Sequence, residues 1–287
     1  MRARGPSERG IAKASAIVSL GGAAMVIALY FFGGTLLQFG RESLMRRATS
    51  AHYEILCPPW ALSPNSVTEF AAQREFVFKR LNKKLGDAGS NVEIRIVFNP
   101  NYSDRQSSEA GARTYSVTGT TIRTKLNGRV PQLPDAADAE ALLHATWGKS
   151  GNAQITKWIA LWLVGQSAGT DLGMVAAQVE QHLGHKNVES LLADPGGEIS
   201  SIRDRDALGA AWISEISEFG GTNAVRKLYA ADIAHPNIVE AATALSTTPV
   251  ELDRKWQLWM YAYLAGMSAM PSDSTMPMDM PMPAEQR

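Results

Sequence analysis

The sequence of 287 residues has a single cysteine, Cys57, so no intrachain disulfide bond can form. It also lacks a Gly-rich phosphate loop and a Gly-x-Ser-x-Gly motif, the sequence signatures of nucleotide-binding proteins and of serine hydrolases. Cys57 falls in a predicted strand, where we expect a buried and unreactive thiol. Catalysis by a cysteine or a serine therefore has no support in these motifs.

The chain has no excess of either charge, with 28 basic and 28 acidic residues. The first 50 residues hold seven basic and two acidic residues, which leaves 21 basic against 26 acidic residues in the remainder. Nucleic-acid binding depends on clustered Lys and Arg that contact phosphates. The mildly acidic remainder therefore predicts a protein that does not bind nucleic acid.

Charged side chains are missing altogether from Ala14 to Phe39, a run of 26 residues. As a helix rising ~1.5 Å per residue, this run is about 39 Å long and exceeds the ~30 Å hydrocarbon core of a bilayer. A signal-peptide core is only about 7–15 residues long. The run predicts an uncleaved transmembrane helix over 14–39, with 1–13 before it and a juxtamembrane linker over 40–50.

The flanks of this segment predict its orientation. Four basic residues precede it and three follow it, and these are Arg2, Arg4, Arg9 and Lys13, then Arg41, Arg46 and Arg47. The positive-inside bias favours a cytoplasmic amino terminus, which places the remainder in the periplasm of an inner membrane. Gly21 and Gly22 give the helix a small-residue face that suits packing on another membrane helix. A single lipid-facing anchor is the alternative.

Residues 51–266 read as an α+β domain, a small mixed sheet with one long helix followed by a helical subdomain. Its first half has strands over 52–57 and 92–98 and a hairpin over 113–126 around Thr118-Gly119. Between the strands, a capping box from Ser66 to Glu69 opens the long helix and Gly86 ends it. The second half predicts helices over 171–182, from 200 or 201 to 219, and over 222–231 and 237–245. A last helix opens at Thr248-Pro249.

Between these halves, residues 142–166 (LLHATWGKSGNAQITKWIALWLVGQ) predict two helices joined by a loop over 148–152. With the preceding hairpin and the later helices, the stretch resembles the active-site helix pair of gluzincin-type metallopeptidases. That family carries His-Glu-x-x-His on one helix and a Glu ligand, within Trp-Leu-x-Glu-Gly, on the next. Here the two motifs read HATWG and WIALW. The alternative is an ordinary pair of core helices with His144 as a hydrogen-bonded histidine.

The resemblance places His144 at the first zinc ligand. Ala145 stands for the general base, Gly148 for the second His, and Leu161 for the Glu ligand. A catalytic zinc needs about three protein ligands, and hydrolysis needs a carboxylate beside the zinc-bound water. The resemblance therefore implies a scaffold without catalysis and without a cofactor. It also implies a cleft at the edge strand, where the family receives its peptide substrate.

Two other groups of residues could carry chemistry. His182 and His185, with Glu180 nearby, are candidate metal ligands, although we expect Gly184 to end the helix between them. Exposed surface residues are the alternative. Ser150 lies near His144 in the sequence, but no acidic residue is placed to orient the histidine, so nucleophilic catalysis has weak support.

The last segment, 267–287, holds six of the eleven methionines, interleaved with proline, and predicts an extended tail. Thioethers suit Cu(I), which makes the four closest-spaced methionines candidate ligands: Met276, Met278, Met280 and Met282. An extended Met/Pro segment can also lie along a partner surface, and its candidate contacts are Met267, Met270, Met276 and Met278. A tail without a role is the third possibility.

These observations together predict a membrane-anchored, non-catalytic structural or binding protein. An accessory subunit of a larger membrane complex, such as a respiratory or photosynthetic assembly, fits the anchor, the cleft and the tail. A periplasmic copper-binding protein is the alternative, and an active zinc hydrolase is the third possibility.

Overall fold

A computed structural model describes residues 42, 44–99, 115–125, 133–167, 170–192, 199, 201–231 and 237–268. These residues form an α+β fold with a small mixed sheet, as the sequence predicted. The sheet has five strands and the described residues form eight helices. The strands are β1 (Arg46–Thr49), β2 (Tyr53–Cys57), β3 (Ile94–Asn99), β4 (Tyr115–Thr118) and β5 (Thr121–Lys125). Gln166–Ser167 (β6) and Thr170–Asp171 (β7) form a separate two-stranded pair.

The strand order in the large sheet is β1-β2-β3-β5-β4. The three central strands β2, β3 and β5 are mutually parallel, and the edge strands β1 and β4 are antiparallel to their neighbours. Ile55, Ile96 and Ile122 are adjacent across the central strands, and all three are fully buried. Alternating apolar residues thus place one face of the sheet against the helices.

The helices follow the predicted order, with one additional short helix (Val188–Leu192) that the sequence did not predict. They are α1 (Pro64–Lys84), α2 (Asp135–Trp147), α3 (Ala153–Val164), α4 (Leu172–Leu183), α5 (Val188–Leu192), α6 (Ile202–Ala230), α7 (Ile238–Ala244) and α8 (Pro249–Ser268). Local capping residues set several boundaries, because their side chains accept hydrogen bonds from backbone N–H groups at the start of α4, α6 and α7. Gly221, with φ 67°, divides α6 at the position where two helices were predicted.

Two predicted boundaries were wrong. The long helix α1 begins at Pro64, two residues before Ser66 of the proposed capping box. Its N-cap is Ser63, which accepts the hydrogen bond from the N–H of Ser66, and Pro64 occupies the first turn. The stretch assigned to a linker over 40–50 contains strand β1, whose Arg46 pairs with Cys57. β1 has no apolar alternation of its own, so only its pairing with a distant strand defines it.

The predicted transmembrane segment 14–39 and most of the tail, 269–287, lie outside the described residues. Within the part that the structure describes, no helix combines the length and the apolar character needed to cross a membrane. Gly21, Gly22 and five of the six tail methionines also lie outside it. Met267 lies within α8, and its side chain is not described.

Candidate functional site

The predicted helix pair is present, and its helices α2 and α3 pack against each other. A loop over 148–152 joins them, as predicted. The Asn152 side chain accepts hydrogen bonds from the N–H groups of Gln154 and Ile155, which fixes the start of α3. Gly165, in the left-handed conformation, ends α3. Local capping therefore sets both ends of α3.

His144 lies on α2 and is half-buried. Its Nδ1 atom is buried and has no hydrogen-bond partner within the described residues. The prediction of a hydrogen-bonded core histidine thus has no support at this nitrogen. Ala145, the next residue, is exposed, and Leu161 on α3 is half-buried. Neither of these side chains can coordinate a metal ion or accept a proton.

Gly148, which stands at the position of the second histidine in the motif that the sequence resembles, lies outside the helix. α2 ends at Trp147, and Gly148 has φ 85° and ψ −172°, a conformation that is essentially restricted to glycine. Any other residue here would be strained by about 1–3 kcal/mol. The backbone therefore departs from an uninterrupted helical motif at Gly148, within the loop that the sequence predicted over 148–152.

The end of α2 is held by α6. The Tyr229 hydroxyl donates a hydrogen bond to the carbonyl oxygen of Gly148, and the Tyr229 ring packs edge-on against Trp147 at 5.5 Å. Burial raises the pKa of Tyr229 to about 12, so its hydroxyl stays protonated near neutral pH and remains a donor. The unusual backbone at Gly148 is thus supported by a side chain 81 residues away.

The first half of α2 carries two buried acids that sequence reasoning missed. Asp138 is 0% exposed and accepts hydrogen bonds from the Tyr53 hydroxyl, at 2.7 Å, and from the Arg74 guanidinium, at 2.8 Å. Burial raises the pKa of the Asp138 carboxyl, whereas Arg74 and the Tyr53 hydroxyl oppose that shift. Burial and the neighbouring Asp138 carboxylate raise the pKa of Tyr53. These contacts fix α2 to both β2 and α1.

The second buried acid connects α2 to the edge of the sheet. Glu140 is 4% exposed and accepts a hydrogen bond from the Tyr115 hydroxyl of β4 at 3.0 Å. Glu140 lies one helical turn before His144, so α2 carries both the contact with the edge strand and the candidate site residue His144. Acids flanked by alanines in DAADAEALL were the one sequence signal that could have pointed to these contacts.

Strand β4 forms the sheet edge beside this helix. Within the described residues, no strand pairs with its outer side. Its hairpin with β5 has a two-residue loop in which Gly119 has φ 58°. The residues that flank such a loop, Thr118 and Thr121, form a hydrogen-bonded pair, so the N–H of Val117 points away from β5. An outward N–H of this kind can pair with an added strand.

The second predicted group does not form a metal site. His182 and His185 are exposed, and Gly184 ends α4 between them, as predicted. His185 Nδ1 lies 3.5 Å from Glu180 Oε1. Over the described part of the chain, no three metal-ligating side chains cluster. Glu180 and His185 instead line a surface cavity of about 170 Å³ between α4 and α8.

The two remaining candidates, Cys57 and Ser150, have structural roles. Cys57 is buried, and burial raises the pKa of its thiol, which disfavours the reactive thiolate. The Ser150 hydroxyl exchanges hydrogen bonds with the backbone of Asn152. Ser150 therefore serves the loop before α3, and no contact with His144 is described.

One buried carboxylate lies away from this region. Glu215 on α6 is 1% exposed, its Oε2 has no hydrogen-bond partner in the described structure, and burial raises its pKa to about 8. It lines a cavity of about 200 Å³ at the α6 bend, with Lys255 of α8 on another wall. One indication of this burial was visible in the sequence, because Glu215 stands among the apolar residues Trp212, Ile213 and Ile216.

No family model matches this chain, and neither the curated proteins nor the solved structures contain a match to it.

Proposed function

We propose that this chain is a non-catalytic, membrane-anchored binding protein, a degenerate relative of the gluzincin-type metallopeptidases. The observation that carries the proposal is which residues stand at the motif positions of the packed helix pair α2 and α3. Its four diagnostic positions hold His144, Ala145, Gly148 and Leu161, and only the first has a side chain that can bind zinc. The order of strands and helices before this pair supports the relationship.

The Gly148 backbone supports the same proposal. A second histidine ligand has to lie one turn after the first on an uninterrupted helix, whereas α2 ends before Gly148. Reversion of single side chains would therefore not rebuild the metal site. We propose that the scaffold now serves binding rather than hydrolysis.

In this proposal the contact surface is a cleft at the outer edge of β4, beside α2, as the resemblance implies. Its backbone hydrogen-bonding groups can accept an extended segment of a partner by strand addition, while α2 forms one wall. The Tyr115–Glu140 hydrogen bond holds these two elements together. In the full protein, the predicted anchor over 14–39 would confine the cleft to the membrane surface, which suits an accessory subunit of a membrane complex.

The test is to solubilise native membranes in a mild detergent and to measure the mass of the species that contains this chain. We expect it to migrate in a complex larger than its own mass. Val117→Pro removes the outward N–H of β4 and should release the chain from that complex, because proline cannot donate a hydrogen bond. Val117→Thr keeps the N–H and is the matched control.

Migration of the wild-type chain alone at its own mass would contradict the accessory-subunit proposal. Retention of the Val117→Pro variant in the complex, with an unchanged circular dichroism spectrum, would instead exclude strand addition at β4. These two outcomes separate the existence of a partner from the position of its contact.

A further inference from the structure

Two of the most exposed large apolar side chains lie at one end of the β1–β2 pair. Leu44 is 78% exposed and Trp60 is 75% exposed. Arg46, the first residue of β1, pairs with Cys57, the last residue of β2; Leu44 therefore lies two residues before β1 begins, and Pro59 lies two residues after β2 ends. Trp60 follows directly, in a turn closed by a hydrogen bond from the Ala61 N–H to the Pro58 carbonyl. We call Leu44, Pro59 and Trp60 the Trp60 surface.

We propose that the Trp60 surface rests in the headgroup layer of the membrane and thereby sets the orientation of the domain. This inference rests on the membrane anchor of the proposed function and adds a contact to it. Tryptophan suits the bilayer interface because its ring is apolar while its indole N–H can reach water or headgroups. Proline and leucine beside it add apolar area.

Chain length brings this surface close to the bilayer. Glu42 Oε2 lies 3.0 Å from Arg95 Nη2 of β3, so the chain is fixed to the sheet from Glu42 onward. Only residues 40 and 41 separate Glu42 from Phe39, the end of the uncharged run. Three residue steps span at most about 11 Å. A headgroup layer is roughly 5–8 Å thick on each side, so the domain begins at the membrane surface.

Local charge fits the same contact. Three basic residues, Arg41, Arg46 and Arg47, lie within three residues of Leu44 and outnumber the acidic Glu42, although Arg47 forms an ion pair with Glu54 at 2.9 Å. Basic residues beside a membrane segment are attracted to anionic headgroups. The Arg46 guanidinium also donates a hydrogen bond to the Leu62 carbonyl oxygen, which ties β1 to the segment that follows Trp60. A cationic, tryptophan-bearing edge next to an anchor has the chemistry of a bilayer interface.

Exposure alone does not carry this inference. Phe76 and Val250 are 70% and 79% exposed on α1 and α8, and single exposed apolar residues are common on soluble proteins. The Trp60 surface differs because the chain ties it to the predicted membrane segment by a few residues. That connection selects lipid, rather than a second protein, as its occupant.

Tryptophan fluorescence provides a direct test, since Trp60 is the one strongly exposed tryptophan among the seven in the chain. The full chain is reconstituted into vesicles of phosphatidylcholine and phosphatidylglycerol, with or without lipids brominated near the carbonyl end of the acyl chains. We expect bromolipid to quench part of the emission in the wild type. Trp60→Phe should abolish that quenching, whereas Trp259→Phe should retain it.

The possible outcomes distinguish the membrane contact of the Trp60 surface from the membrane anchor over 14–39. Dissociation of the chain from vesicles in alkaline carbonate would contradict the anchor itself. Firm attachment without bromolipid quenching, or with quenching that persists in Trp60→Phe, would overturn the membrane contact and leave the anchor intact. If, in addition, oxidation of Trp60 is blocked only in native membranes, a protein partner covers the surface instead of lipid.

Discussion

Gly209 on α6 lies directly against the indole ring of Trp158 on α3. A Cβ atom on Gly209 would fall 2.2 Å from Cδ2 and Cε2 of Trp158, far inside van der Waals contact. Trp158 is fully buried and meets Trp212 edge-on at 6.3 Å, so it has no room to move away. This close approach sets the position of α3, and with it Leu161, relative to the helical subdomain.

We therefore expect Gly209→Ala to destabilise the fold by about 1–3 kcal/mol through overpacking of this contact. The measurement is urea unfolding of the full chain in mild detergent, followed by circular dichroism. In a Trp158→Phe background the smaller ring leaves space, so the same substitution should cost clearly less. Equal costs in both backgrounds would mean that the Gly209–Trp158 approach does not limit helix packing.

The buried Arg74–Asp138 pair gives a second prediction. Asp138→Asn removes the carboxylate and leaves the guanidinium of Arg74, itself only 3% exposed, without its fully buried counter-charge. Loss of one partner from a buried pair costs about 3–5 kcal/mol, and we expect a destabilisation in that range. Asp135→Asn is the control, because Asp135 contacts Arg74 and Arg80 from a partly exposed position.

The Asp135 control should cost less than about 1 kcal/mol. A clearly larger loss of unfolding free energy in Asp138→Asn than in Asp135→Asn would therefore show that the buried pair is the stabilising contact. If both variants unfold at the same urea concentration as the wild type, the network does not hold α2 on the sheet.

Glu215 predicts a pH dependence of stability. Burial raises its pKa in the folded state to about 8, above the ordinary value of 4.5. Between these two values the folded state keeps a proton that the unfolded state has released, so the contribution to stability falls as pH rises from about 4.5 to 8. Lys255 opposes the shift and Glu218 adds to it.

Glu215→Gln should therefore stabilise the protein progressively with pH, by up to about 3 kcal/mol more at pH 8 than at pH 5. Thermal unfolding across this pH range measures the difference. Glu218→Gln is the control, since the Glu218 carboxylate accepts a hydrogen bond from Trp259 Nε1. Glu218→Gln removes only a smaller cause of the raised Glu215 pKa than burial, so most of the Glu215 contribution to the pH slope should remain. A Glu215→Gln stabilisation that is constant with pH would contradict the assignment.

Local signals explain which parts of the fold were predictable. Asn237 and Thr248-Pro249 mark helix starts, and Gly184 marks a helix end, because capping depends on residues within one turn. The hairpin at Thr118-Gly119 was equally local. The capping box at Ser66 failed because Ser63 and Pro64 provide a competing start three residues earlier.

Long-range contacts account for what the sequence did not predict. Strand β1 exists through its pairing with β2, and Asp138 is satisfied by a tyrosine 85 residues earlier in the chain. The helix pair and the loop that begins at Gly148 were predicted, but the hydrogen bond from Tyr229, 81 residues later, to the Gly148 carbonyl was not. The residues at the four motif positions could be read directly from the sequence, whereas the long-range contacts that hold their backbone could not be predicted.

We propose that the helix pair around His144 retains a peptidase-like arrangement without its metal chemistry, and zinc content tests this proposal most directly. The full chain is purified with excess zinc, desalted, and analysed by mass spectrometry for metal, alongside His144→Leu. We predict far less than one zinc per chain in both proteins. Because Nδ1 of His144 is buried without a described partner, we also predict unfolding of the variant at an equal or higher temperature. One zinc per wild-type chain, lost in His144→Leu, would contradict the account.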